Sequence, residues 1–173
     1  MRKPICYVAR AMTGLVAADV VAQARLDKCF LESKGFKVLC PVSEEGVISA
    51  VHKIQATKDQ MDTYWRRDKQ MIEEADVLFN MSPHMASLGV IREHGYARFF
   101  LYRKVISVFP KRSLPGEGAV CYYEDDFVTD SLEDAAHEAL RTHGTLVKRL
   151  KWRLCLYIRC IPKMIRCFFG GWK

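Results

Sequence analysis

Residues 144–173 contain no aspartate or glutamate, yet they hold eight lysines and arginines. The whole chain carries +7, so taking away those eight charges leaves residues 1–143 at −1. A body without net positive charge lacks the electrostatic footprint that phosphate backbones demand, and nucleic acid is not expected as a partner. Zinc spacing is missing as well. The seven cysteines (6, 29, 40, 121, 155, 160 and 167) form no C-x-x-C pair and no Cys/His cluster. Cys6, Cys40 and Cys121 lie inside strand-like runs, where a free thiol serves as a small buried hydrophobe. That usage points to a reducing, cytoplasmic setting. No run of about 18 apolar residues occurs, so no ordinary transmembrane helix is expected. Arg10 interrupts the first apolar run and no cleavage-type ending follows, so no signal peptide is expected. There is no internal repeat.

What is present suffices for one domain. The chain has 173 residues, and a hydrophobic content of 50% argues against wholesale disorder. Pro4 to Ala9 reads as a strand buried on both faces, followed by the small-residue turn Arg10 to Gly14. Ala17 to Lys34 reads as a helix that packs Val20, Val21, Ala24 and Leu31 and is closed by Gly35. Phe36 to Cys40 is a second strand, stopped by Pro41, and residues 42–57 a loop with at most one helical turn. A helix over Lys58 to Glu74, a strand over Asp76 to Asn80, a helix from Ser87 to about Tyr102 and a strand over Lys104 to Phe109 follow. Beyond the basic loop Lys111 to Gly118, the expected elements are a fifth strand over Ala119 to Tyr123, an acidic turn, and a helix from Ser131 to Thr142. Strands alternating with helices predict a parallel sheet covered on both faces.

Two helices break their own pattern. Met61, Trp65, Asp68, Ile72 and Ala75 recur at helical spacing, as do Ala86, Val90, Glu93, Ala97 and Phe100. Each apolar stripe therefore carries one carboxylate, and a buried charge needs a partner or a job. Arg66, Arg67, Arg92 and Arg98 are near enough in sequence to be such partners. Ser87 suits an N-cap, its hydroxyl accepting from a first-turn N–H, and Gly89 lets a ligand approach the backbone. Ligands of such sheets bind beyond the carboxyl ends of the strands. Tyr7, Thr13, Gly14, Asp68, Ser87 and Glu93 are thus expected to converge on one cleft. A phosphate on the Ser87 turn would leave a sugar within reach of Glu93, about 9 Å further along the helix. Two carboxylates, one ionised and one donating a proton, are what cleavage at an anomeric carbon needs. His84 and His94 read as surface or internally satisfied histidines, not ligands.

This conjunction resembles the nucleoside 2-deoxyribosyltransferase superfamily, in particular its 2'-deoxynucleoside 5'-monophosphate N-glycosidase branch. The resemblance rests on Asp68, Ile72-Glu-Glu-Ala-Asp-Val77, Ser87-Leu-Gly-Val-x-x-Glu93-x-Gly-x-Ala97 and Lys104-Val-Ile106, with Tyr7-Val-Ala and Met12-Thr-Gly-Leu15 before them. It implies a flavodoxin-like, doubly wound, parallel five-stranded α/β sheet over residues 1–143. It implies Glu93 as the nucleophile at C1', Asp68 as proton donor to the leaving base, and Tyr7 as the group orienting Glu93. Free-nucleoside transferases carry Asp where this chain has Ser87, and a neutral Ser at a helix N-terminus welcomes phosphate where Asp would repel it. Ser113 in the basic loop is a further phosphate candidate. The superfamily has Gly after its first strand where this chain has Ala9-Arg10-Ala11, so Arg10 either adds a phosphate contact or crowds the pocket. The chemistry implied needs no metal or redox cofactor, and a homodimer or higher homo-oligomer is expected. A transferase exchanging bases, and a nucleotide-binding sensor or scaffold without turnover, are the alternatives.

Residues 144–173 form a separate basic amphipathic tail. Leu146, Leu150, Leu154, Tyr157, Ile158, Ile161 and Ile165 make an apolar stripe, and Lys148, Arg149, Lys151, Arg153 and Arg159 fill much of the rest. Pro162 kinks or ends the helix. A membrane surface or a protein partner for 146–173 is the leading expectation, ahead of packing on the body.

Overall fold

The structure is a computed structural model and describes residues 2–12, 15–44, 57–82, 87–109 and 125–143. Its centre is a five-stranded parallel sheet in the order β2-β1-β3-β4-β5. The strands are β1 (Ile5–Ala9), β2 (Lys37–Leu39), β3 (Val77–Asn80), β4 (Lys104–Val108) and β5 (Phe127–Thr129). The helices are α1 (Ala17–Ser33), α2 (Pro41–Glu44), α3 (Lys58–Glu74), α4 (Leu88–Gly95) and α5 (Leu132–His143). This is the flavodoxin-like order, in which the chain leaves β1 first to one side and then to the other.

The sheet is buried on both faces because its central strands are apolar on both. In β1, Cys6 and Val8 join one core with Val20, Val21, Ala24 and Leu31 of α1 and Ala135, Ala136 and Ala139 of α5. Ile5, Tyr7 and Ala9 join the opposite core with Ile72 of α3 and Val90 of α4. The period of two along a strand makes that division automatic. Gly35 closes α1 at φ +96°, a left-handed position that suits glycine. At the other end of the sheet, Lys104 Nζ meets Glu138 Oε1 at 2.5 Å and ties β4 to α5.

Four expectations are corrected. Pro41 does not only stop β2; it opens the one-turn helix α2, since its missing N–H costs nothing at a first helical position. The helix after Ser87 does not run as α-helix to Tyr102. It widens into a π-turn over Tyr96–Phe100, which leaves Phe100 74% exposed, so the apolar stripe ends at Ala97. Met61, at the head of the other stripe, is exposed as well. The fifth strand is Phe127–Thr129, immediately after the acidic pair Asp125-Asp126; the run 119–123 lies outside the described residues, as does the tail 144–173. Among the described residues, no helix is long and apolar enough to cross a membrane.

Candidate active site

The pocket lies where the topology predicts, beyond the carboxyl ends of β1 and β2 and beside the α4 N-terminus that follows β3. Its volume is about 180 Å³. Tyr7, Arg10, Asp68, Ser87, Gly89 and Glu93 all line it. Thr13, Gly14 and Ser113 lie outside the described residues, as does His84.

Tyr7 is 1% exposed, held in mid-strand with its side chain on the α3/α4 face. Its phenol lies beside the Glu93 carboxylate, within reach of its hydrogen bonding and its charge. Burial, then the negative charges of Glu93 and Asp68, then hydrogen bonding to Glu93 push the Tyr7 pKa well above its ordinary value of 10.0. Tyr7 therefore keeps its proton beside Glu93, and both acids lie near enough for their charge to bear on it. Glu93 is half-buried in the second turn of α4.

Asp68 is 7% exposed on α3. Its neighbour Arg67 donates to Asp68 Oδ1 from Nη2 at 2.8 Å and Nε at 3.1 Å. Asp68 thus has a structural partner as well as a place in the pocket wall.

Ser87 departs from expectation in a useful way. Its backbone is the N-cap of α4, but its hydroxyl makes no capping hydrogen bond. The oxygen remains beside the first-turn N–H groups, a natural anion site. A Cβ at Gly89 would stand 3.8 Å from Ser87 Oγ, in the space that a ligand on that hydroxyl would use.

Arg10 is committed to α1. Its Nη2 pairs with Asp27 Oδ2, while Gln23 donates to Asp27 Oδ1 at 2.9 Å. Its Nε is buried and has no hydrogen-bond partner in the protein. The salt bridge holds Arg10 against α1, at the edge of the pocket that it lines.

Sequence reasoning missed one wall. Trp65 and Tyr64 of α3 line the pocket, and the Arg92 guanidinium lies 4.1 Å above the Trp65 ring centroid. Trp65 was visible in the α3 stripe and packs on the core of the α3/α4 face, but nothing local indicated that it also borders a cavity. His94 is not at the surface. It is 2% exposed and internally satisfied, with Nε2 donating to Asp125. Among the described residues, no three His, Cys, Asp or Glu side chains gather as a metal site.

No protein-family model matches the chain, and no curated protein matches it in sequence. Among solved structures, the chain superposes on a conserved protein from Enterococcus faecalis V583 with a TM-score of 0.50 and 16% identity, over 81% of this chain and 99% of that one. It also superposes on the CMP N-glycosidase BcmB of Clostridium botulinum with a TM-score of 0.45 and 15% identity, over 78% of this chain and 95% of that one. The first likeness speaks for the fold alone, and the second superposition is too loose to carry an argument.

Proposed function

We propose that the pocket is the active site of an N-glycosidase acting on (deoxy)nucleoside 5'-monophosphates. The observation that carries the reading is the convergence of Tyr7, Asp68 and Glu93 on one pocket that also presents an uncapped Ser87 hydroxyl. The motif resemblance to the deoxyribosyltransferase superfamily supports the same roles.

In this reading the 5'-phosphate rests on the Ser87 hydroxyl and the first-turn N–H groups of α4, with the Arg10 guanidinium beside it. A Glu93 carboxylate oxygen attacks C1'. The C1'–N bond breaks, its electron pair goes to the base, and Asp68 supplies the proton the base needs to leave. Water then attacks C1' of the glycosyl ester, Glu93 departs as carboxylate, and the water proton returns to Asp68. The sum is nucleotide plus water giving free base and sugar 5-phosphate. Tyr7 holds the Glu93 oxygen in line throughout.

The test is a chromatographic screen of ribo- and deoxyribonucleoside 5'-monophosphates beside the matching nucleosides, watching for free base. Release from monophosphates only is expected, and Glu93→Gln should lower it by at least ~10⁴-fold. Full turnover by Glu93→Gln would overturn the mechanism. Release only from nucleosides, or only with an acceptor base present, would make the protein a transferase. Saturable nucleotide binding without any release would make it a binding protein.

A further inference from the structure

The helix that carries Glu93 has little apolar anchoring. In α4 the one buried apolar side chain is Val90, with Ala97 in the π-turn, whereas Leu88 is 84% exposed. The other buried side chains of that segment are polar: His94 and Arg98, at 2% and 6% exposure. They stand one helical turn apart, about 6 Å along the axis. Both reach the consecutive acids Asp125 and Asp126. His94 Nε2 donates to Asp125 Oδ1, and Arg98 Nη1 donates to Asp126 Oδ2 at 2.7 Å.

The same acids grip β4. Ser107 Oγ donates to Asp125 Oδ2, and the Val105 N–H donates to Asp126 Oδ2 at 2.9 Å. Residues two apart on a strand are separated by about 6.6 Å. The spacing of one helical turn therefore matches the spacing of alternate strand residues, and two adjacent carboxylates bridge the pair. The Asp125 side chain is fully buried.

We propose that Asp125 and Asp126 are positioning residues, a two-point clamp that fixes the rotation of α4 about its axis and so the aim of Glu93. One bridge alone would let the helix pivot; two bridges, one turn apart, do not. Successive helical residues diverge by about 100°. With His94 locked toward the β5 side, Glu93 is directed at Tyr7 and the pocket. The catalytic consequence rests on the glycosidase reading; the clamp itself does not.

The test compares Asp125→Asn and Asp126→Asn with Leu31→Ala, a core variant on the opposite face with no contact to α4. With a nucleoside 5'-monophosphate that the wild type cleaves, kcat should fall about tenfold to a hundredfold with KM within about twofold, because a displacement near 1 Å has that effect. Amide hydrogen exchange over residues 88–100 should quicken in the two clamp variants and not in Leu31→Ala at a similar loss of Tm. Arg98→Lys, which keeps the charge but not the reach, should show a smaller loss of the same kind, and it decides the matter if the aspartate variants do not fold. A kcat loss no greater than that of Leu31→Ala overturns the proposal. If the wild type releases no base at all, the glycosidase reading fails, and unchanged exchange over 88–100 in Asp125→Asn then overturns the clamp separately.

Discussion

The two faces of the sheet handle buried acids differently. On the α1/α5 face, Asp27 occupies the apolar stripe of α1 and is answered by Arg10, which reaches over from the end of β1, with Gln23 on its other oxygen. Around it lies a core of Val20, Val21, Ala24, Leu31, Phe36 and Phe79, the last two ring to ring at 5.8 Å. On the α3/α4 face, Asp68 and Glu93 occupy the equivalent stripes, but they border a cavity, and Glu93 meets the phenol of Tyr7, a donor that carries no charge. An acid on an apolar stripe is therefore not itself a sign of catalysis. The partner alone does not separate the two cases, since Asp68 has the Arg67 guanidinium beside it just as Asp27 has Arg10; what separates them is the cavity, which Asp68 and Glu93 line and Asp27 does not.

If the faces divide stability from chemistry, a cavity opened beneath α1 should be costly and catalytically silent. Leu31 is completely buried. Leu31→Ala is expected to cost about 2–5 kcal/mol, which lowers Tm by roughly 5–15 °C in a domain of this size. Turnover per folded molecule at a temperature well below Tm should stay within about twofold. A parallel loss of kcat would show that the faces are mechanically coupled and would break the division.

Alkaline titration sharpens the same contrast. Burial, followed by the neighbouring Cys40, pushes the Cys6 thiol far above its ordinary 9.0, and burial raises Cys40, on the α1/α5 face. Tyr7 is raised above 10.0 on the other face. All three are neutral when protonated, and the folded state holds their protons longer than the unfolded state does. Their contribution is complete below the ordinary values and is lost as pH rises from about 9 through the raised values, at up to ~1.4 kcal/mol per pH unit for each group. Denaturant melts across pH 8–11 should show this decline. Cys6→Ala should flatten it from pH 9 without touching kcat. Tyr7→Phe should flatten it only from pH 10, and should also lower kcat about tenfold by removing a hydrogen bond to a charged group. A Tyr7→Phe variant with unchanged kcat would remove Tyr7 from the mechanism.

Most of the frame was legible in sequence because its signals are local. The 17-residue helices α1 and α3 follow from apolar spacing, and α1 also from Gly35 at its end; the Thr57 cap of α3 was not read in advance. The site was legible because Asp68 and Glu93 violate that spacing. Asp27 violates it equally, between Ala24 and Leu31, and its pairing with Arg10 could not be read because the partner lies 17 positions away on another element. The clamp was hidden for the same reason, with 31 positions between His94 and Asp125. The strand Phe127–Thr129 was read as part of an acidic turn because it is short, half-exposed and preceded by two acids. The π-turn has no local signature at all.

The finest test of the division compares two hydroxyls at helix N-termini. Thr57 makes a complete capping box: its Oγ1 accepts from the Gln60 N–H at 3.4 Å, and Gln60 Oε1 accepts from the Thr57 N–H at 2.9 Å. Ser87 occupies the same cap position on α4 and makes no such bond. Thr57→Ala should therefore cost about 1 kcal/mol and leave KM unchanged. Ser87→Ala should cost no more than about 0.5 kcal/mol, because no folded-state hydrogen bond is lost. Instead its KM for a nucleoside 5'-monophosphate should rise, about tenfold for one hydrogen bond to a charged phosphate, with no change toward the unphosphorylated nucleoside. Melting curves and the ratio of the two KM values check both halves. If Ser87→Ala loses as much stability as Thr57→Ala, its hydroxyl caps the helix in solution and is not held for a ligand. The phosphate then has to be bound by Arg10 and the backbone of the α4 N-terminus alone.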